Sequence, residues 1–509
     1  MAPSIVAILK LVIPLLPVAI ITAISNALHL SQNSSKQSTK VETAVTVMRT
    51  LLSRRTAVSR VQATAGAVRA NRVVKGPIWI AKASLPPPLE SDALDAVLAA
   101  IKDLGNGSET FPAPYYANLT GEWTGWRYRR NSGNADANGQ QQQAEMSEAE
   151  KYSALMAETT SPVTLLYFHG GAFFCLDPAT HRHITALLAK RTGGRVFSLR
   201  YRLAPQYPFP SALLDCLLSY LYLLAPPAPG SSSSSSSSSL HEPIPASHIV
   251  FAGDSAGGNL ALSLNLLILT LNRMGIHSLR YHGTSVPLQP PAGVAVNSPW
   301  CELTCSLPSH TRNAQYDYLP GPPSAENDYE PTLPKTQPCP IWPSSPPRAE
   351  LYCSASLLAH PLVCPLLVPP RLWAGTPSVF VCVGEETLMD GVLVTARHIL
   401  ESGCVPVVLA AYEGMPHCGA ILFPGSDFGT DCIARWAAYF KTVGTWMKAL
   451  TRPPVIRDLP VAEASHLSDD EANAILQLAI VRAAQREQLA LEEWHSNKGK
   501  DGSTARAKL

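Results

Sequence analysis

Six short apolar runs, at 163–168, 195–201, 249–252, 293–296, 379–383 and 407–412, punctuate the chain, and stretches of helical character such as 184–191, 212–224 and 259–272 separate most of them. A run of apolar residues without polar alternation is the pattern of a strand buried on both faces. Strands that alternate with helices build a parallel sheet with helices packed on its two sides. The expected fold class is therefore α/β, a mostly parallel central sheet flanked by helices. In such sheets the chemistry lies beyond the carboxyl ends of the strands, so the residues that follow each run are the ones to read.

The chain has 509 residues, 46% hydrophobic and only 15% charged, which is too apolar for a disordered protein. Lys and Arg (40) nearly balance Asp and Glu (38), giving a net charge of +2, so no basic excess exists to neutralise nucleic-acid phosphates and no nucleic-acid partner is expected. The length allows one large domain with appendages, or two domains. The 45 prolines exceed the ~5% of ordinary usage and must occupy loops, linkers or an irregular lid. Eleven cysteines form no CxxC pair and no Cys/His cluster at zinc spacing, so no metal site is expected.

Residues 5–24 are almost wholly apolar, broken by Lys10, Pro14 and Pro17, and twenty helical residues span about 30 Å, the thickness of a bilayer core. The expectation is a membrane-anchor helix within 1–30, with a cleaved signal peptide and a buried core helix as the competing readings. Lys36, Lys40, Arg49, Arg54 and Arg55 follow the segment and favour a cytosolic carboxyl side, whereas sequons at Asn33, Asn106 and Asn118 suit a lumenal one, so orientation stays open. The expected location is a membrane, through a single N-terminal pass, in the endoplasmic reticulum. A polar spacer over 31–70 follows. The main folded unit covers 71–450 and carries low-complexity insertions at 131–143 and 231–239, the second a run of serines that cannot bury a core. Over 451–509 the sequence predicts a helix and polar tail, opened by the capping-box pattern Ser468-Asp469-Asp470-Glu471.

At the strand ends the chemistry becomes specific. The run 249–252 enters Gly253-Asp254-Ser255-Ala256-Gly257 just before a helix, which is G-x-S-x-G on a strand-to-helix turn. Such a turn projects Ser255 Oγ above the sheet at a helix N-terminus, where developing negative charge is favoured, and makes Ser255 the expected nucleophile. The run 163–168 ends in His169-Gly170-Gly171-Ala172-Phe173, whose small residues let backbone amides face a substrate oxygen. Gly170, Gly171 and Ala256 are the expected oxyanion donors, and His169 is read as shaping the loop. His417 follows the last run after a short turn and is the expected base, whereas His398 lies inside a helical stretch. Glu385, Glu386 and Asp390 all follow the run 379–383, and the pattern alone does not choose the acid among them.

These residues carry a likeness. His169-Gly170-Gly171-Ala172-Phe173, then Tyr201-Arg202-Leu203-Ala204-Pro205-Gln206-Tyr207-Pro208-Phe209-Pro210, then Gly253-Asp254-Ser255-Ala256-Gly257-Gly258-Asn259-Leu260 resemble, in that order, the hormone-sensitive-lipase-like branch of the α/β-hydrolases. That branch includes arylacetamide deacetylases and fungal steryl acetyl hydrolases; Ser298-Pro299-Trp300 and Gly121-Glu122-Trp123-Thr124-Gly125 resemble its fungal members. The likeness covers about residues 75–450. It implies the α/β-hydrolase fold with a helical or irregular cap from 71–130 and 303–370. Laid on the family's D-x-L-x-D, Glu386-Thr387-Leu388-Met389-Asp390 puts Glu386 in the triad position, with Asp390 as the alternative; glutamate there and Ala172 in place of a third glycine are departures.

The implied function is a serine carboxylic-ester hydrolase that works through an acyl-enzyme, needs no cofactor or metal, and takes a small lipophilic substrate such as a steryl or aryl acetate. A long-chain acylglycerol lipase and an amide deacetylase share these motifs. A non-catalytic ligand-binding member of the fold is the remaining alternative, against which stand the serine, carboxylate and histidine all being in place.

Overall fold

All six apolar runs are strands of one eight-stranded sheet in the computed structural model, which describes residues 13–54, 56–70, 76–128, 143–227, 239–319, 337–403, 406–449 and 467–506. The strands are β1 (Ile78–Leu85), β2 (Leu119–Trp126), β3 (Thr164–Phe168), β4 (Arg195–Arg200), β5 (Ile249–Asp254), a separate hairpin of β6 (Ser278–Tyr281) and β7 (Thr284–Pro287), then β8 (Gly293–Asn297), β9 (Val379–Gly384) and β10 (Val407–Tyr412). The sheet order is β1-β2-β4-β3-β5-β8-β9-β10; β2 runs antiparallel to both its neighbours and the rest are parallel. The inner strands β3, β5, β8 and β9 are buried at every position, which is why they read as unbroken apolar runs.

The first departure from expectation is at 71–130. Part of this stretch belongs to the sheet itself: β1 and β2 are its first two strands. The sequence hid β2 because Glu122 interrupts it. That carboxylate is buried and paired with Arg182, whose guanidinium donates to both its oxygens at 2.8 and 2.7 Å, so a charge is accommodated where an apolar residue was expected.

In chain order the principal helices are α1 (Leu16–Ala27), α2 (Thr39–Leu52), α3 (Val58–Ala70), α4 (Asp92–Leu104), α5 (Pro178–Thr192), α6 (Ser211–Leu224), α7 (Ala256–Arg273), α8 (Met389–Glu401), α9 (Asp427–Ala449) and α10 (Asp469–Arg506). Residues 256–271 of α7 are all buried, and α7 packs against β3, β5 and β8, fixing its N-terminus at the centre of the sheet's carboxyl edge. Within 303–370 the described residues form loops, 3-10 turns and the short helix Ser309–Arg312, and Leu357, Leu358 and Leu362 are buried in the main core.

The N-terminal expectations also change. Among the described residues no helix is long and apolar enough to cross a membrane. α1 has twelve residues, about 18 Å of helix, and folds back against α2, where buried Asn26 donates to the Gln37 carbonyl and Thr39 Oγ1 donates to Asn26 Oδ1. Its outer side leaves Ile20, Ile21, Ile24 and Leu28 more than half exposed. The segment 31–70 is no free spacer: α2 and α3 carry contacts onto the sheet's carboxyl-edge loops, for example Gln62 Nε2 to the carbonyls of Phe174 and Ala204, both at 2.9 Å. At the other end Ser468 and Glu471 form the expected capping box of α10, and Glu487 of that helix accepts from the amides of Ala349 and Ala355. The insertion at 131–143, save its last residue, and that at 231–239, save Ser239, lie outside the described residues.

Candidate active site

Ser255 stands between β5 and α7 with φ +53° and ψ −122°, a backbone conformation that costs a non-glycine residue about 1–3 kcal/mol. Besides the first helical bond of α7, from the Asn259 amide to the Ser255 carbonyl, two hydrogen bonds hold it there. The Ser255 amide donates to the Asn297 carbonyl, and the Trp300 amide donates to the Ser255 carbonyl, each at 3.0 Å. The flanking glycines are required by close approach: a Cβ on Gly257 would lie 2.0 Å from the Phe168 carbonyl oxygen, and one on Gly253 2.5 Å from that of Gly257. G-x-S-x-G is therefore a packing requirement as much as a chemical one.

His417 lies beyond β10 and Glu386 beyond β9, adjacent parallel strands whose register brings the two loops together. His417 Nδ1 is 2.9 Å from Glu386 Oε1, and both residues are buried. The two rival carboxylates are held elsewhere. Glu385 pairs with Lys36 at 2.9 Å, and Asp390 accepts from the Ser309 amide and from Arg312. Burial pulls the His417 imidazole down, but the charge and hydrogen bond of Glu386, with Asp317 and Asp254 further off, outweigh it and raise its pKa above the ordinary 6.5. Cys418 Sγ lies 3.4 Å from His417 Nε2. Burial pushes that thiol well above its usual range, so it stays protonated and offers no thiolate in competition with the serine.

The glycine loop differs from expectation in one donor. The Gly170 amide donates to Asp254 Oδ1 at 3.2 Å, so it is spoken for and does not face a substrate oxygen. Among the described residues no group takes the amides of Gly171 and Ala172, and Ala256 begins a helix, where amides lack intrahelical partners. The available donors are thus Gly171, Ala172 and Ala256. His169 has the shaping role: its Nδ1 lies 2.7 Å from the Gly170 carbonyl and its ring stacks on Tyr201 at 4.3 Å. Burial, helped by neighbouring His181, pushes its pKa down to about 3, so it stays neutral.

Three supporting residues escaped the sequence reading. Ser298 Oγ donates to Glu386 Oε2 at 2.6 Å and accepts from the Cys418 amide at 3.1 Å, bridging acid and base loops. Its signal was the Ser298-Pro299-Trp300 triplet, which resembles the family but carries no role on its face. Asp254, wholly buried, receives the Tyr167 hydroxyl at 2.6 Å as well as the Gly170 amide. Burial opposes its charge, yet His181 and Tyr167 keep its carboxyl below the usual range. Asp317 accepts from Thr387 and from the His417 amide, and nothing in the sequence pattern marks it.

Residues 165–421, half of the chain, match the family described as alpha/beta hydrolase fold. An acetyl-hydrolase of Streptomyces hygroscopicus is 28% identical over 280 residues, 55% of this chain and 75% of that protein. An esterase of Acinetobacter venetianus is 29% identical over 165 residues, 32% and 44% of the two chains; Lipase 2 of a Moraxella species is 41% identical over 104 residues, about a fifth of each. Among solved structures, an esterase from the bacterial hormone-sensitive lipase family aligns with a TM-score of 0.49 at 21% identity, covering 80% of this chain and 98% of that one.

Proposed function

The chain belongs to the α/β-hydrolase fold family and is an ester-cleaving enzyme, and from that premise we propose that it is a hormone-sensitive-lipase-like member that transfers the acyl group of small lipophilic esters to Ser255 and then to water. The observation that carries the proposal is the buried His417–Glu386 pair at the same sheet edge as a serine held in a strained turn. Glu386 accepts the Nδ1 proton, which leaves Nε2 unprotonated and able to take the proton of Ser255 Oγ. The alkoxide attacks the ester carbonyl, and the amides of Gly171, Ala172 and Ala256 stabilise the oxyanion. One such donor is worth about 3–4 kcal/mol of barrier. His417 returns the proton to the leaving alcohol, and a water activated the same way releases the acid.

Short acyl groups fit the surroundings. Phe173 of the glycine loop stacks on Tyr352 with centroids 3.8 Å apart and lies 5.8 Å from Trp300, whose amide holds the Ser255 carbonyl. A cluster of rings reached both from the glycine loop and from the residue that holds the Ser255 carbonyl favours an apolar alcohol and a short acid, in line with the acetyl-hydrolase relative. A p-nitrophenyl ester series tests this. Turnover is expected to fall at least about tenfold from acetate to palmitate, since a long chain must displace packed rings; faster palmitate cleavage overturns the short-acyl proposal.

The N-terminal segment is proposed to rest on a lipid surface, which would place the enzyme at a membrane such as that of the endoplasmic reticulum. The support is the apolar composition of 5–24 and the exposed isoleucines of α1. Full-length protein is expected to float with phosphatidylcholine vesicles, and replacing Ile20, Ile21 and Ile24 with serine is expected to leave most of it at the bottom of the gradient. Equal flotation of both proteins sinks the idea.

A further inference from the structure

The acid and base sit on separate loops, and a charged side chain from a third segment ties the loops to each other. Asp317, wholly buried, follows the short helix Ser309–Arg312. Its Oδ2 accepts from the amide and the hydroxyl of Thr387, both at 2.8 Å, and Thr387 is the neighbour of Glu386. Its Oδ1 accepts from the His417 amide at 3.1 Å and from the Tyr318 amide at 2.7 Å. One carboxylate thus grips both halves of the pair.

The grip is itself held from the N-terminal hairpin. Arg49 of α2 donates to the Asp317 carbonyl through Nε at 2.8 Å and to the Gln315 carbonyl at 2.9 Å. Buried Gln37 donates to the carbonyls of Tyr316 and Gly414, each at 2.8 Å, while Lys36 pairs with Glu385 and Glu413 at 2.9 and 3.0 Å. Gly414 lies on the turn that delivers His417. The hairpin therefore touches the Asp317 segment, the acid loop and the base loop.

We propose that Asp317, locked by the α1–α2 hairpin, is a positioning residue that fixes the Glu386 loop against the His417 loop and supports the protonated form of His417. The inference rests on the ester-hydrolase reading above. The titratable groups around His417 are Glu386, Asp317, Asp254, the Cys418 thiol and the Tyr318 phenol, whose ring lies 6.0 Å away. The carboxylates favour imidazolium and burial opposes it. Replacing Asp317 removes one of these charges while the Glu386 carboxylate that meets His417 stays in place.

Asp317→Asn tests the proposal. The acidic limb of kcat/KM is expected to move to lower pH by about half a unit or more, with kcat down about tenfold and KM little changed. The histidine 15N titration of His417 should shift the same way without any reaction, so a wild-type protein lacking ester turnover would sink the functional reading while Asp317 is still tested. An unmoved limb and an unmoved titration in folded D317N overturn the proposal. Thr387→Val, which deletes one donor and keeps the charge, covers the case where D317N does not fold. It should lower kcat severalfold at unchanged KM with the acidic limb in place, and an unchanged kcat overturns the proposal equally.

Discussion

Ser255→Ala is expected to lower kcat/KM on p-nitrophenyl acetate by about 10⁵-fold or more and to abolish labelling by a fluorophosphonate. The size follows from the route. With the hydroxyl gone no acyl-enzyme forms, and what remains is water attack assisted by the Gly171, Ala172 and Ala256 amides, which retains only a small part of the acceleration. The variant should fold at least as well as the wild type. Ser255 pays a backbone cost for its positive φ, and alanine in the same turn loses only a hydroxyl; no side-chain cap bond is made by Ser255 at the start of α7. A melting temperature within a few degrees of wild type therefore accompanies the loss. Labelling that survives the substitution would place the nucleophile elsewhere and remove the basis of the mechanism.

How much of this was legible beforehand depends on what each residue announces locally. The inner strands are buried at every position and mostly apolar, and each of the six expected runs is a strand in place to within two residues. Ser255 and His417 were legible because a turn motif and a strand end leave a pattern within a few residues. β1 and β2 were not, since Lys82 and Ser84 face solvent on the edge strand and Glu122 is buried only by virtue of Arg182, sixty residues away. The same non-locality hides Asp317, whose partners stand 70 and 100 positions along the chain. The Gly170 amide was misassigned for a related reason: sequence counts small residues in a loop but does not say which amide a buried neighbour has already taken. The N-terminal apolar run reads as a membrane-anchor helix, but among the described residues no helix is long and apolar enough to cross a membrane; the return of α1 against α2 depends on Asn26, a polar residue with no meaning until Gln37 and Glu42 are beside it.

The choice of acid gives the other large effect, because three carboxylates follow β9 and only Glu386 meets His417. Glu386→Gln keeps the shape but loses the charge that fixes the Nδ1–H tautomer and offsets the imidazolium, so kcat should fall by about 10³–10⁴-fold. Asp390→Asn should stay within about tenfold of wild type, since it weakens only the anchoring of Ser309 and a half-exposed Arg312. The pH profile separates a charge effect from a loss of shape. His417 acts as base only when neutral, and its pKa stands above 6.5 because the carboxylates outweigh burial. Activity of the wild type is therefore lost as pH falls through a value above 6.5. In Glu386→Gln the largest opposing contribution is gone and burial remains, so whatever activity survives should persist to lower pH. A larger loss in Asp390→Asn than in Glu386→Gln would move the triad acid to Asp390. An acidic limb unmoved in Glu386→Gln would mean that the 2.9 Å contact does not set the basicity of His417.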